Sequence, residues 1–599
     1  MCRIAGLVDH RISAEERSSR VAGMLLTMQA GGPDGAGMFS CNDHPVVLGH
    51  RRLAILDLSD AGHQPMANPD ATLHLTYNGE IYNFRSLRLE LQALGYTFHS
   101  GTDTEVILQA YVAWGEDSFS RLSGMFAFVL YDQRRQLLWL VRDQLGIKPL
   151  YWAELPGNGL AFASSVQALS QLAELTETQP NWPIYFLAFG HLPEPITTRK
   201  CIQPAKPGFA KRYCLQSRTT TNYAIQPKPI ASPPMLVERT EVLRAIQSTV
   251  QASVDQQLIS DAPLGVFLSG GVDSSILAVC AAKSKPDLVT SAVYFNEKNY
   301  SEWQFQQAIK AKLQSATHHN HAIHATDFFG SFDQLFADLD QPSCDGINTW
   351  FIAKHARAAG LKAVLSGIGG DEYWGGYPSF KRMPLALLLQ QSPRLGQTWL
   401  AHLGPRRWRR LVYLRLEGLC GLYLSLRGLF TPEAIAQKLG CSESEVWTAL
   451  EELAAEHRQP LPKDPFELTT LLESTWYMRN QLLRDCDAMS MAHGLEIRVP
   501  LLDDQMIALS RSVSPELKKA GPLPKWLLIE AFRDELPNEI WNRPKMGFTF
   551  PFDTWFRTDA AAESFFADVP QQAYQDFIKG NMHWSQLYSL HVLNRMGFA

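Results

Sequence analysis

The sequence predicts an α/β protein built in two parts, and three patterns carry that reading. Residues 1 to about 210 read as strands separated by turns, with few helices. From Glu238 onward, helix and strand alternate, the rhythm of a parallel sheet covered by helices. A short apolar strand, Leu264–Leu268, then runs straight into a loop of small residues that opens a helix.

Taken in order, Leu73–Tyr77 is a strand leading into Asn78-Gly79, a pair that by itself reads as a hairpin turn. Arg85–Leu94 and Thr104–Trp114 carry helical periodicity, while Met125–Asp132 and Leu137–Arg142 read as neighbouring strands. Gln216–Pro234 is rich in Thr, Pro and Gln without periodicity and reads as a linker. The expected division is therefore residues 2–212, a linker over 213–237, and a second domain over 238–599. In that second domain a helix reaches about Leu258, a helix starts at Ser274, and Leu288–Phe295 and Ala363–Leu365 are strands. Residues 380–480 read as helical, and the basic run Arg406–Arg410 reads as a solvated helix face.

Composition narrows the class. At 599 residues the chain exceeds one ordinary core, and 46% hydrophobic with 19% charged residues is globular. A net charge of -5 gives no footprint for nucleic acid, and no apolar run is long enough for a membrane helix. The N-terminus lacks the build of a signal peptide, so a cytoplasmic location is the expectation. The nine cysteines form no CxxC pair and no His/Cys cluster of zinc spacing. Most read as small buried hydrophobes, but the position of Cys2 invites chemistry.

Loss of Met1 would place a thiol and a free α-amine on one residue, and an amine of pKa about 8 can act as base for its own side chain. Cys2-Arg3-Ile4-Ala5-Gly6 resembles the opening of class II glutamine amidotransferases. The resemblance continues through Gly32-Pro33-Asp34, Gly49–Ile55, Tyr77–Asn83, Gly101–Glu105 and Arg142–Tyr151, in that order. It implies an αββα sandwich with Cys2 as nucleophile and with Asn78 and Gly79 supplying the oxyanion donors. It also implies a glutamine site of Arg52, Leu53, Ile55, Asn78, Gly79, Glu80 and Asp103, with Arg52 gripping the α-carboxylate as a fork and Asp103 the α-ammonium. One position departs: the family's His-Arg before Gly-Pro-Asp is Ala30-Gly31 here.

In Leu268-Ser269-Gly270-Gly271-Val272-Asp273-Ser274-Ser275, small residues let backbone N–H groups approach an anion at a helix N-terminus. The loop lacks the lysine of a GxxxxGK[ST] motif and is similar to the pyrophosphate loop of the ATP-pyrophosphatase fold. Leu365–Glu372 with Gly375-Gly376-Tyr377, Asp487–Asp503 and Arg543–Phe548 resemble motifs of the glutamine-hydrolysing asparagine synthetase family, and the likeness spans essentially the whole chain. It implies ATP over Leu268–Ser275 and Gly367, Mg²⁺ on Asp273 and Asp371, and Lys545 at the reacting phosphorus. The charges of Asp487–Asp503 are expected to bind structure together around the site.

The implied reaction adenylates a carboxylate and amidates it with ammonia from glutamine, aspartate being the leading acceptor; a homodimer is compatible with the family. Ile368 stands where the family carries a glutamate thought to accept a proton, which resembles paralogues that amidate other acids. Asp345 and Glu372 are the alternative bases. An amide-forming cyclase would use the same loop without glutamine and typically lacks the N-terminal cysteine, while a non-catalytic relative would be expected to lose Asp273, Asp371 and Lys545.

Overall fold

Two six-stranded antiparallel sheets lie face to face in the N-terminal part of the computed structural model, which describes residues 2–225, 235–391 and 406–597. The first runs, in spatial order, Gln203–Pro204, Tyr151–Leu155, Gly159–Ala163, Arg3–Val8, Val46–Arg52 and Gly35–Ser40. The second runs Thr219–Ala224, Phe209–Cys214, Leu137–Arg142, Gly124–Asp132, Leu73–Ile81 and Met66–Ala67. Alternating residues send Ile4, Val8 and Leu48 from one sheet against Ala127, Val129 and Leu140 from the other, forming the middle of the sandwich.

The outer faces are covered by helices. Ala14–Thr27 places Val21, Met24 and Leu25 on the first sheet. Phe84–Ala93 and Asp103–Trp114 cover the second. The layering is αββα, as expected.

The strand Thr219–Ala224 falls in the stretch read as linker; it pairs with Phe209–Cys214 along its whole length. It is an exposed edge strand whose Thr and Asn side chains face water, so it carries no hydrophobic alternation to betray it. The middle of that linker stretch, 226–234, lies outside the described residues, as do Met1 and 392–405.

The C-terminal part is built on a five-stranded parallel sheet in the order Thr317–Ala322, Val289–Tyr294, Leu264–Phe267, Ala363–Leu365, Glu496–Arg498. The chain starts at the central strand, winds outward one way and then returns to the other side. The switch point therefore lies between Leu264–Phe267 and Ala363–Leu365, and ligands of doubly wound sheets bind beyond the carboxyl ends of such strands. The strand Leu264–Phe267 is apolar throughout because helices cover both sides.

A helical layer rich in aromatics, from Trp182–Phe189, Gly418–Arg427, Glu443–Glu456 and Trp584–Arg595, packs on one flank. The two domains share a core: Leu53, Ile55, Tyr82 and Met125 of the sandwich pack with Leu483, Ile497 and Val499 of the C-terminal part. No helix among the described residues is long and apolar enough to cross a membrane. In the basic run, Trp408 and Arg409 are exposed, while the side chains of Arg406 and Arg407 lie outside the described set.

Candidate active site

The first site forms where the strand Arg3–Val8 and the strand Leu73–Ile81 begin and end side by side. Cys2 N donates to Asn78 Oδ1 at 3.1 Å, and Cys2 Sγ lies 3.8 Å from Leu53 O. Asn78 is fully buried, and its Nδ2 has no hydrogen-bond partner among the described residues. A buried amide donor left open costs free energy unless something fills it. The other atom of the same amide, Oδ1, is the one that accepts from Cys2 N.

Asn78-Gly79 is not a hairpin turn: both residues lie inside the strand, opposite Ala127 and Phe126. Gly79 has φ +155, and a Cβ there would stand 2.2 Å from Met125 O, so only glycine lets the strand bend at this point. Burial pushes the Cys2 thiol above its ordinary range, so the resting group is a thiol that needs a base.

Around it, Arg52 directs its terminal nitrogens at Ser59 O (2.8 Å), Asp57 O (2.5 Å) and Leu56 O (3.4 Å). These bonds tie the guanidinium to the backbone of the loop that follows Ile55. Leu53 and Ile55 are buried, and their contribution is backbone: Leu53 O faces the thiol and Ile55 O accepts Asp261 N. Asp103 is buried, accepts Tyr77 Oη and Ile81 N on Oδ2, and is held up to about 6 by burial. Glu80 is engaged from the other domain, by Arg498 Nη2 at 3.0 Å.

The Gly31 departure has a structural counterpart. A Cβ on Gly31 would meet Arg3 Cγ and Nε at 2.9 Å, so another arginine fills the adjoining space. Arg3 Nη1 in turn lies 2.6 Å from Asp487 Oδ2, and Asp487 Oδ1 lies 3.7 Å from Lys148 Nζ.

The second site opens at the switch point as a cavity of about 1030 Å³ lined by the Ser269–Ser274 loop, Gly367, Ile368, Asp371 and Lys545. Gly270 has φ +82 and packs against Phe305, which lets the chain turn from strand into the helix Val272–Ser284. Ser269 Oγ and Ser274 Oγ lie 2.9 Å apart, and Gly271 N donates to Ser269 Oγ at 3.2 Å, so the loop is braced from within. Ser275 is fully buried, and Leu268 N is tied to Ser291 O.

Asp273 and Asp371 face each other across Lys525, whose Nζ lies 2.6 Å from Asp273 Oδ2 and 2.8 Å from Asp371 Oδ1. Lys545 Nζ adds a contact of 2.6 Å to Asp371 Oδ2. Against the cost of burial, Lys525 and Lys545 hold Asp371 down at about 2. The donor set suits Mg²⁺: it is all oxygen, Asp273 Oδ1 is buried without a hydrogen-bond partner, and a Cβ on Gly370 would stand 2.5 Å from that oxygen. Lys525 escaped the sequence reading because a lysine in Gly521-Pro522-Leu523-Pro524-Lys525 carries no motif; only the fold brings it between the two carboxylates. Arg543 donates to Gly270 O at 2.9 Å and pairs with Glu302, which holds the Arg543–Phe548 segment over the loop.

The same cavity is also lined by Asp345, Glu372, Tyr377 and Arg427. Arg427 was also missed. Its guanidinium pairs with buried Glu473 and lies 4.7 Å from the Tyr377 ring centre and 3.8 Å from that of Tyr477.

Fold and sites together define the class: a glutamine amidotransferase domain joined to an ATP-dependent ligase domain. The sequence matches the glutamine amidotransferase domain family over residues 1–224 and the asparagine synthase family over residues 245–578. It is 30% identical over 580 residues to glutamine-hydrolyzing asparagine synthetase 1 of Bacillus subtilis, covering 93% of this chain and 88% of that protein. A putative glutamine-hydrolyzing asparagine synthetase of Mycobacterium tuberculosis is 31% identical over 584 residues, covering 92% and 87%. Asparagine synthetase 3 of Bacillus subtilis is 28% identical over 573 residues, covering 91% and 86%. The chain belongs to the asparagine synthase family, and it is an ATP-dependent C–N ligase of the glutamine-dependent type.

Proposed function

We propose that this enzyme converts aspartate to asparagine by two reactions in series. In the first, the α-amine takes the Cys2 proton and the thiolate attacks the carboxamide carbon of glutamine. Asn78 Nδ2 and Gly79 N–H receive the oxyanion; ammonia leaves, and water releases glutamate from the thioester. Arg52 and Asp103 hold the two charged groups of glutamine, with Glu80 and the backbone of Leu53 and Ile55 completing the site.

In the second reaction the acceptor carboxylate attacks the α-phosphorus of ATP seated over Leu268–Ser275 and Gly367. Pyrophosphate leaves, an acyl adenylate forms, and ammonia then displaces AMP. Lys545 stabilises the charge that develops at phosphorus. Asp273 and Asp371 would hold Mg²⁺, which neutralises charge on the leaving pyrophosphate.

One observation supports aspartate as the acceptor. Among the described residues Arg427 Nη1 and Asp345 Oδ2 have no partner, although both belong to residues that line the cavity. An open guanidinium edge and an open carboxylate oxygen suit the α-carboxylate and α-ammonium of an amino acid. Lys545 Nζ lies 4.1 Å from the centre of the same Tyr377 ring that Arg427 rests on, so this pole and the adenylation end are one aromatic side chain apart. A different carboxylic acid is the second reading, and Ile368 favours it. The deciding experiment is a pyrophosphate-release screen across carboxylic acids with ATP and ammonium. Aspartate should release the most, with asparagine as product; a larger release with another acid would replace aspartate, and none with any acid would remove the whole scheme.

A further inference from the structure

Arg498 is an enclosed charge between the two sites. It is fully buried on the edge strand Glu496–Arg498, and its guanidinium is engaged from both domains. Nη1 donates to Gln257 O and Ile259 O, each at 2.7 Å, and Nε donates to Glu496 Oε1 at 2.5 Å. Nη2 crosses the interface to Glu80 Oε1 at 3.0 Å. Glu80 directly follows Gly79 in the strand that carries the oxyanion donors.

The backbone of the same residue reaches the nucleotide site. Arg498 is the register partner of Leu365, and its carbonyl accepts the N–H of Ser366 at 2.8 Å. Ser366 and Gly367 line the ATP cavity, and a Cβ on Gly367 would stand 2.8 Å from Asp273 Cβ, so that turn lies directly against the Asp273 carboxylate's stem. A displacement of the Ser366-Gly367 turn therefore acts on Arg498 through a strand hydrogen bond, and Arg498 acts on Glu80 through an ion pair. Close-packed interiors shift between discrete arrangements instead of deforming gradually, and a buried group tied to both sites is placed to carry such a shift.

We propose that Arg498 is the positioning residue that couples the two reactions, seating the Asn78-Gly79 strand for glutamine hydrolysis when the nucleotide loop is filled. It touches neither glutamine nor ATP; it acts through Glu80 on one side and Ser366 on the other. Coupling between binding events is reciprocal, so glutamine must alter ATP affinity by the same factor that ATP alters glutamine affinity. The inference rests on the two-reaction scheme proposed above.

The test is Arg498→Lys in the full-length enzyme, with glutamate and amide counted separately. In the parent enzyme, ATP plus acceptor should raise glutamate release by about fivefold or more, the lower end of ordinary coupling between sites. The variant should keep ammonia-dependent amidation within twofold and its KM for ATP, yet lose that stimulation and release more than one glutamate per amide. Full stimulation with unchanged stoichiometry would overturn the proposal. So would an equal loss of ammonia-dependent amidation, which would make Arg498 a support of the synthetase domain only. Should the variant fail to fold, the parent enzyme still decides: alkylation of Cys2 by a glutamine analogue must change rate when ATP and acceptor are added, and an unchanged rate overturns the coupling. A parent enzyme that releases no glutamate under any condition would instead remove the two-reaction scheme.

Discussion

Arg3 occupies the space that a side chain on Gly31 would enter: a Cβ at position 31 would stand 2.9 Å from both Arg3 Cγ and Arg3 Nε, and 3.2 Å from Met491 Cε. The two positions are therefore one packing unit, and a cation at either excludes one at the other. Gly31→Arg should overpack the site and destabilise the protein by about 1–3 kcal/mol. Combining it with Arg3→Gly should recover stability, because the new stem enters the space the old one leaves and can reach Asp487. Urea denaturation of the two single variants and the pair measures this. A pair no more stable than Gly31→Arg alone would show that the positions do not trade places.

The open donor on Asn78 gives the second prediction. Asn78→Ala removes the proposed oxyanion donor and the acceptor for Cys2 N, so glutamine hydrolysis should fall by about 100- to 1000-fold. Cys2→Ala should abolish glutamine-dependent amidation entirely. Both variants should retain ammonia-dependent amidation, since the synthetase cavity shares no lining residue with either. Equal loss of both activities would sink the two-site scheme.

Asp103 predicts a pH dependence of binding. Burial raises its carboxyl to about 6, so below that pH it is protonated and loses the charge that attracts an α-ammonium. Glutamine binding to the Cys2→Ala protein, where no chemistry follows, should weaken about tenfold per pH unit below pH 6 and level off above it. With Asp103→Asn added, binding should be weak and flat with pH. Titration calorimetry across pH 4.5 to 8 on both proteins makes the comparison, and a parallel pair of curves would remove Asp103 from the glutamine site.

At the second site, Asp273→Asn leaves Lys525 with Asp371 alone. Pyrophosphate release should fall about 100-fold or more, the scale of several kcal/mol of lost charge stabilisation. Glutamine hydrolysis without ATP should persist. Removing divalent metal with a chelator should reproduce that split in the unmodified enzyme. Pyrophosphate release that survives both treatments would exclude Asp273 from metal binding.

Much of this architecture is legible in the residues themselves, and the exceptions have physical causes. Leu137–Arg142 and Ala363–Leu365 form strands at the bounds their apolar runs indicate, because each is buried on both faces and ends at a charge or a turn. Asn78-Gly79 misleads, since the pair that most often makes a hairpin here lies mid-strand, held by pairing with Phe126 and Ala127. Thr219–Ala224 hides as a linker because a polar edge strand needs only backbone pairing. The site motifs lie close together in sequence and can be seen. Lys525 and Arg427 belong to no such motif, because what makes each matter is a partner more than 40 residues away, brought near only by the fold.

Ile368 supplies the last prediction. It lines the cavity between Gly367 and Gly369, and it packs against the apolar core that includes Leu501 and Leu502. An isoleucine accepts no proton, so ammonia attacking the adenylate must lose its proton to another group or to water. Ile368→Glu places a carboxylate beside the reacting centre, in the position where the family carries one. If no side chain now serves as base, ammonia-dependent amidation should rise by about 10-fold or more, within the ordinary contribution of a general base. The gain should appear in kcat at saturating acceptor, with pyrophosphate release during adenylation unchanged. An unchanged kcat would mean that a group already in the cavity takes the proton, and Asp345→Asn in the Ile368 background would then be the variant that loses it.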